Sequence, residues 1–151
     1  MLYQKTTQNA VAAVSRLAEL YHDPNQRASS RDIAESRNLP APIVAKILTE
    51  LSRGGIIEGS PGPGGGYRLA RPPAEVSLQD VANLFERDTN TACPYGPGWC
   101  GVEEPCPLHQ TMVAMRHKID EFLEGTSFAM FESSKKKNTK RTRGRETTRK
   151  R

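Results

Sequence analysis

Apolar side chains recur at Val11, Val14, Leu17, Ala18 and Tyr21, with alanines between them. Steps of three and four place them on one helical face, so a helix is predicted from about Thr7 to Tyr21. Asp23-Pro24-Asn25 ends it. A second, short helix starts at Ser29 or Ser30, where Ser29 followed three residues later by Asp32 resembles a capping box. Ile33 and Ala34 are its inward positions, and Asn38-Leu39-Pro40 closes it. A third helix runs from about Ala41 to Arg53 with the apolar stripe Val44, Ile47, Leu48 and Leu51. Pro40 and Pro42 sit at its start, where a missing N–H is tolerated, and Gly54-Gly55 ends it.

Ile56-Ile57-Glu58 and Tyr67-Arg68-Leu69-Ala70 read as two short strands around the turn Gly59-Ser60-Pro61-Gly62-Pro63-Gly64-Gly65-Gly66. A hairpin directly after a helix-turn-helix is a wing. The glycine run is no phosphate loop, because no Gly-Lys-Ser/Thr follows and no helix opens after it. Helical spacing returns from Val76 to Phe85, and again from near Pro107, where Met112, Met115, Ile119 and Phe122 form a seam that asks for a facing helix. The earlier helices suffice to close a core, so the seam is assigned to a second subunit. Phe128, Met130 and Phe131 form a last apolar patch, expected to dock on that partner.

The fold class is therefore mainly α with a small β-hairpin, a winged helix-turn-helix domain plus a long dimerisation helix. The divisions are 1–86 for the winged helix-turn-helix, 87–109 for a cysteine-rich loop, 107–132 for the dimerisation helix and docking segment, and 133–151 for a basic tail. That tail has no apolar side chain and is expected to be disordered.

Composition changes the picture in one respect. Ten of the 22 basic residues and one of the 17 acidic residues lie in 133–151, so that stretch carries +9 and the remainder, with 12 basic and 16 acidic residues, carries −4. The high isoelectric point belongs to the tail, and a DNA-binding face on the domain has to be locally basic. No run approaches the roughly 18 apolar residues of a membrane span. The first residues lack the apolar core of a signal peptide. No membrane association and a cytoplasmic location are expected. An enzyme is not expected either: there is no nucleophile–base pair and no phosphate loop.

In a reducing compartment clustered cysteines read first as metal ligands or reactive thiols. Cys93, Cys100, Cys106 and His109 are spaced Cys-x6-Cys-x5-Cys-x2-His, three thiols and an imidazole within 17 residues. Prolines stiffen the loop and glycines turn it, but it has no apolar packing of its own, and a metal centre would supply its order. Four readings stand side by side: an iron–sulfur cluster, a zinc site, a metal-free thiol switch, and three unrelated cysteines. Zinc sites usually pair cysteines roughly two to four residues apart, and no such pair exists, so the wide spacing suits a cluster better. His22 and His117 read as surface residues.

These residues resemble the bacterial winged-helix regulators typified by the iron–sulfur cluster regulator IscR and the nitric-oxide-sensing repressor NsrR. The resemblance runs from about Leu2 to Phe131. It is carried by Asp32-Ile33-Ala34-Glu35, the span Leu51 to Ile57, the run Gly62 to Pro73, and Val76-Ser77-Leu78-Gln79-Asp80-Val81, with the three cysteines downstream. It implies a homodimer crossed through the long helix, a recognition helix in the major groove of double-stranded DNA, and a cluster on each subunit. By the same resemblance Cys93, Cys100 and Cys106 are the cluster cysteines and His109 completes a [2Fe–2S] site. Gln8 stands where the [4Fe–4S] type places a carboxylate of the other subunit, which favours [2Fe–2S] over [4Fe–4S]. The first cysteine gap is one residue longer than the common pattern. Pro61 stands where the family usually has a wing arginine, which shifts wing readout toward Arg68.

The DNA-contact candidates are Arg31, Lys46 and Arg53 as cations, the helix starts at Ser30 and Ala41 as phosphate-facing N–H groups, and Gly62, Gly64 and Arg68 in the wing. A two-fold dimer is expected to read a palindromic operator. The rival readings are a winged-helix regulator that senses thiol oxidation or zinc, and a non-regulatory iron–sulfur scaffold or electron carrier.

Overall fold

The computed structural model describes residues 3–86 and 105–132. Cys93, Cys100 and the basic stretch 133–151 lie outside the described residues.

Helix α1 spans Lys5–Leu20. Its N-cap Gln4 offers no side-chain bond. Instead Glu86, distant in sequence, accepts from the Gln4 N–H at 2.8 Å and from the Thr7 hydroxyl. A carboxylate at a helix N-terminus satisfies open N–H groups and meets the positive end of the dipole. Ala10, Ala13, Val14, Leu17 and Ala18 are buried, and the three alanines let neighbouring helices approach closely.

Helix α2 (Ser30–Arg37) starts on the expected capping box: Ser29 Oγ accepts from the Asp32 N–H at 3.1 Å, and Asp32 accepts from the Ser29 N–H at 2.9 Å. Asn38, with φ 52°, ends it in the left-handed conformation. Helix α3 (Ala41–Arg53) buries Val44, Ile47, Leu48 and Leu51, the stripe read from the sequence.

Strands β1 (Ile57–Ser60) and β2 (Gly66–Leu69) pair antiparallel, Ile57 opposite Leu69 and Ser60 opposite Gly66. Gly62 and Gly64 at the tip take φ of 87° and 74°. The hairpin is not isolated. Ala28 exchanges two backbone hydrogen bonds with Tyr67, at 3.0 and 2.8 Å, which adds a third short edge and ties the wing to the start of α2.

Helix α4 (Leu78–Phe85) begins two residues later than expected, on a second capping box between Ser77 and Asp80. Helix α5 spans His109–Gly125 and α6 spans Ala129–Glu132. The turn between them folds back: Leu78 N–H donates to the Thr126 carbonyl and Phe128 N–H to the Val76 carbonyl, both at 2.9 Å.

This return corrects one expectation. Phe128 is fully buried in the core of its own chain, and Phe131 packs against the same core at a ring distance of 5.5 Å. Of the last apolar patch only Met130 stays exposed, so the segment docks on its own domain. The physical reason is the pairing of 126–128 with 76–78, which carries Phe128 into the core. On α5 the seam residues Met112 and Ile119 are half-buried. Met115 is 49% and Phe122 60% exposed, and Leu123 is the only residue of α5 that is buried.

Candidate nucleic-acid interface and cysteine site

Helices α2 and α3 are joined by Asn38-Leu39-Pro40, a turn short enough to hold them as one unit. The burial of Val44, Ile47, Leu48 and Leu51 leaves Pro42, Lys46, Thr49 and Arg53 on the opposite face of α3. Lys46 is exposed and, among the described residues, has no carboxylate partner. Arg53 is held by Glu50 at 2.8 Å, and Arg31, fully exposed at the start of α2, by Glu35 at 2.9 Å. Both cations face solvent with their charge half-compensated. Such exposed pairs are weak and open readily to a phosphate.

The two helix starts differ. At α2 the capping box uses the Asp32 N–H and the Ser29 carbonyl takes that of Ile33, which leaves Ser30 and Arg31 at the open end. At α3 Pro42 has no N–H, and those of Ile43 and Val44 both reach the Pro40 carbonyl, at 3.0 and 3.1 Å. Ala41 therefore brings little beyond its own N–H.

In the wing, Gly62 and Gly64 shape an uncharged tip. Arg68 is engaged by Glu58 across the hairpin. Sequence reasoning missed Arg27. It lies beside the Ala28–Tyr67 bridge, its guanidinium 3.9 Å from the same Glu58, with Nη1 buried and unpartnered among the described residues. Two arginines share one carboxylate on the hairpin. Nothing in the sequence around Arg27 signals this, because the contact exists only once the wing folds back.

The cysteine stretch meets the fold at α5. Cys106 is half-buried with a free thiol, and its carbonyl accepts the N–H of His109 at 2.9 Å. His109 is the first residue of α5. Among the described residues no group of three or more possible metal ligands gathers. A thiol and an imidazole three positions apart at the positive end of a helix fit the donor set of an anionic iron–sulfur centre. His22 and His117 are exposed, as expected, and His22 pairs with Glu132 at 3.0 Å. Among the described residues no helix is long and apolar enough to cross a membrane.

A family model described as Rrf2, iron-dependent transcriptional regulator, matches residues 3–132. The chain belongs to the Rrf2 family. A putative HTH-type transcriptional regulator of Aquifex aeolicus is 29% identical over 130 residues, covering 84% of this chain and 88% of that one. The HTH-type transcriptional regulator IscR of Aliivibrio salmonicida is 24% identical over 122 residues, covering 81% and 73%. Among solved structures, CymR, the global cysteine regulator of B. subtilis, superposes with a TM-score of 0.72 at 19% identity, over 87% of this chain and 95% of that one. This Rrf2 chain is thus a transcriptional regulator with a DNA-binding fold, mostly helical with one two-stranded hairpin.

Proposed function

We propose that this Rrf2 protein is a homodimeric regulator whose operator affinity is set by an iron–sulfur cluster on Cys93, Cys100, Cys106 and His109, of the [2Fe–2S] type. The observation that carries the reading is the junction at α5. Cys106 and His109 sit at the root of the helix whose apolar face, Met115 and Phe122, stands open for a second subunit. The bound group would supply iron chemistry labile to oxygen or nitric oxide. The chain's part is to hold the loop against the start of α5, and through α5 to fix how far apart the two α3 helices are held. A change in that separation biases a two-state equilibrium between DNA-competent and incompetent dimers. The basic stretch 133–151 adds sequence-independent phosphate affinity. Action on chromosomal DNA places the protein in the cytoplasm.

The test is anaerobic purification with iron, sulfide and zinc analysis and a visible spectrum, followed by operator binding. Iron with equal sulfide is expected, and serine at Cys93, Cys100 or Cys106 abolishes the visible absorption and alters operator affinity. Colourless variants that bind unchanged would remove the switch. A second reading, sensing by zinc or by thiol oxidation without a cluster, is favoured by the likeness to CymR of B. subtilis, a global cysteine regulator, and to CymR of Staphylococcus aureus, solved in an oxidized form. Zinc alone, or no metal with oxidant-dependent binding, selects it.

A further inference from the structure

We infer that the N-terminal half of α3 reads thymine through its 5-methyl group, with Ile43 as the specificity-determining residue; the inference rests on the DNA-binding reading above. Five exposed side chains make up this part of the helix: Ala41, Pro42, Ile43, Ala45 and Lys46. Four of them are apolar. Ile43 is 41% exposed on a helix whose other large apolar residues, Val44, Ile47, Leu48 and Leu51, are buried.

Hydrogen-bonding readout of bases uses Asn or Gln for adenine, Arg or Lys for guanine, and Asp or Glu for cytosine. Helix α3 contains no Asn or Gln. Its Glu50 and Arg53 lie in the last turn, away from this half of the helix. The hydroxyl of Thr49 is committed to the Ala45 carbonyl at 3.0 Å. Lys46 is the one polar reader left on this half of the helix. A recognition helix with this inventory specifies bases mainly through the single apolar feature that base edges show in the major groove, the methyl of thymine. The occupant of the apolar patch is therefore duplex DNA with thymine in each half-site. The position of α3 as second helix of the unit and the cations Lys46 and Arg53 along the same face support that choice over a protein partner.

The experiment uses the full chain. Binding sites are selected from random duplexes, and each thymine of the selected half-site is replaced singly by deoxyuridine, which removes only the methyl. Selected half-sites are expected to share thymine, and one or more replacements weaken binding about fourfold, the loss expected for one buried methyl. Ile43→Ala abolishes that sensitivity while its circular dichroism and unfolding midpoint stay at the wild-type values, and Ile43→Val keeps most of it. The inference is overturned if selected sites share no thymine or if deoxyuridine is neutral throughout. It is equally overturned if Ile43→Ala retains the full sensitivity, or alters oligomeric state instead. Failure to enrich any sequence overturns the DNA-binding reading itself, which a specific but methyl-blind protein would not.

Discussion

At the scale of single residues, Arg37 ties two helices together. Its Nη2 donates to Glu19 Oε1 at 2.7 Å and to Ser15 Oγ at 3.0 Å, and its Nε to the Ala12 carbonyl at 3.2 Å, pinning α2 to α1. Glu19 also accepts from Arg16 at 3.0 Å. Burial by itself pushes the Glu19 carboxyl up, but the bonds from Arg37 and Arg16 outweigh it and hold the carboxyl below the ordinary glutamate value. A depressed pKa favours folding at every pH above that of the unfolded carboxyl, and the benefit fades as pH falls toward the folded value. Arg37→Ala should therefore cost about 2 kcal/mol at neutral pH. In urea unfolding followed against pH, its gap to the wild type should narrow as pH drops through the glutamate range. None of this was legible in the sequence, where Arg37 is one more basic residue in the last turn of a helix. Lys46 was legible, because its position off an apolar stripe follows from spacing alone.

At the scale of elements, local chemistry spoke clearly where it was self-contained. Ser29 with Asp32 announced the start of α2, and the stripe of α3 came out with the bounds the spacing gave. Ser77 with Asp80 carries the same pattern, yet the helix was expected from Val76. The structure uses Val76 otherwise, to accept the Phe128 N–H. The wing shows the same division. The glycine run predicted a turn, but it did not distinguish its glycines. Gly62 and Gly64 need only a positive φ, with open space around them. Gly66 combines φ 135° with a backbone neighbour, since a Cβ there would lie 2.9 Å from the Ala28 carbonyl. Gly66→Ala is expected to cost at least about 2 kcal/mol and to weaken DNA binding, while Gly62→Ala costs about 1 kcal/mol. Thermal unfolding of both variants checks the order; equal losses would mean that the Ala28 contact does not matter.

At the scale of the whole molecule, two apolar surfaces that looked alike in the sequence part company. Met115 and Phe122 point away from the protomer, whereas Phe128 closes its core. Met115→Glu with Phe122→Glu should give a folded monomer in sedimentation analysis, because charges at exposed positions leave the protomer's packing alone. Phe128→Ala should leave association intact and cost about 3–5 kcal/mol of stability. The reverse pattern would exchange the roles of the two surfaces. What the chain determined by itself were helix registers, caps, turn glycines and the family's wing, because hydrogen bonds and φ preferences of that kind act over a few residues. What only the tertiary structure decided were the return of 126–128 onto 76–78, the grip of Glu86 on the start of α1, and the Ala28–Tyr67 edge. Burial has no direction of its own, so an apolar side chain acquires its partner only when distant surfaces meet.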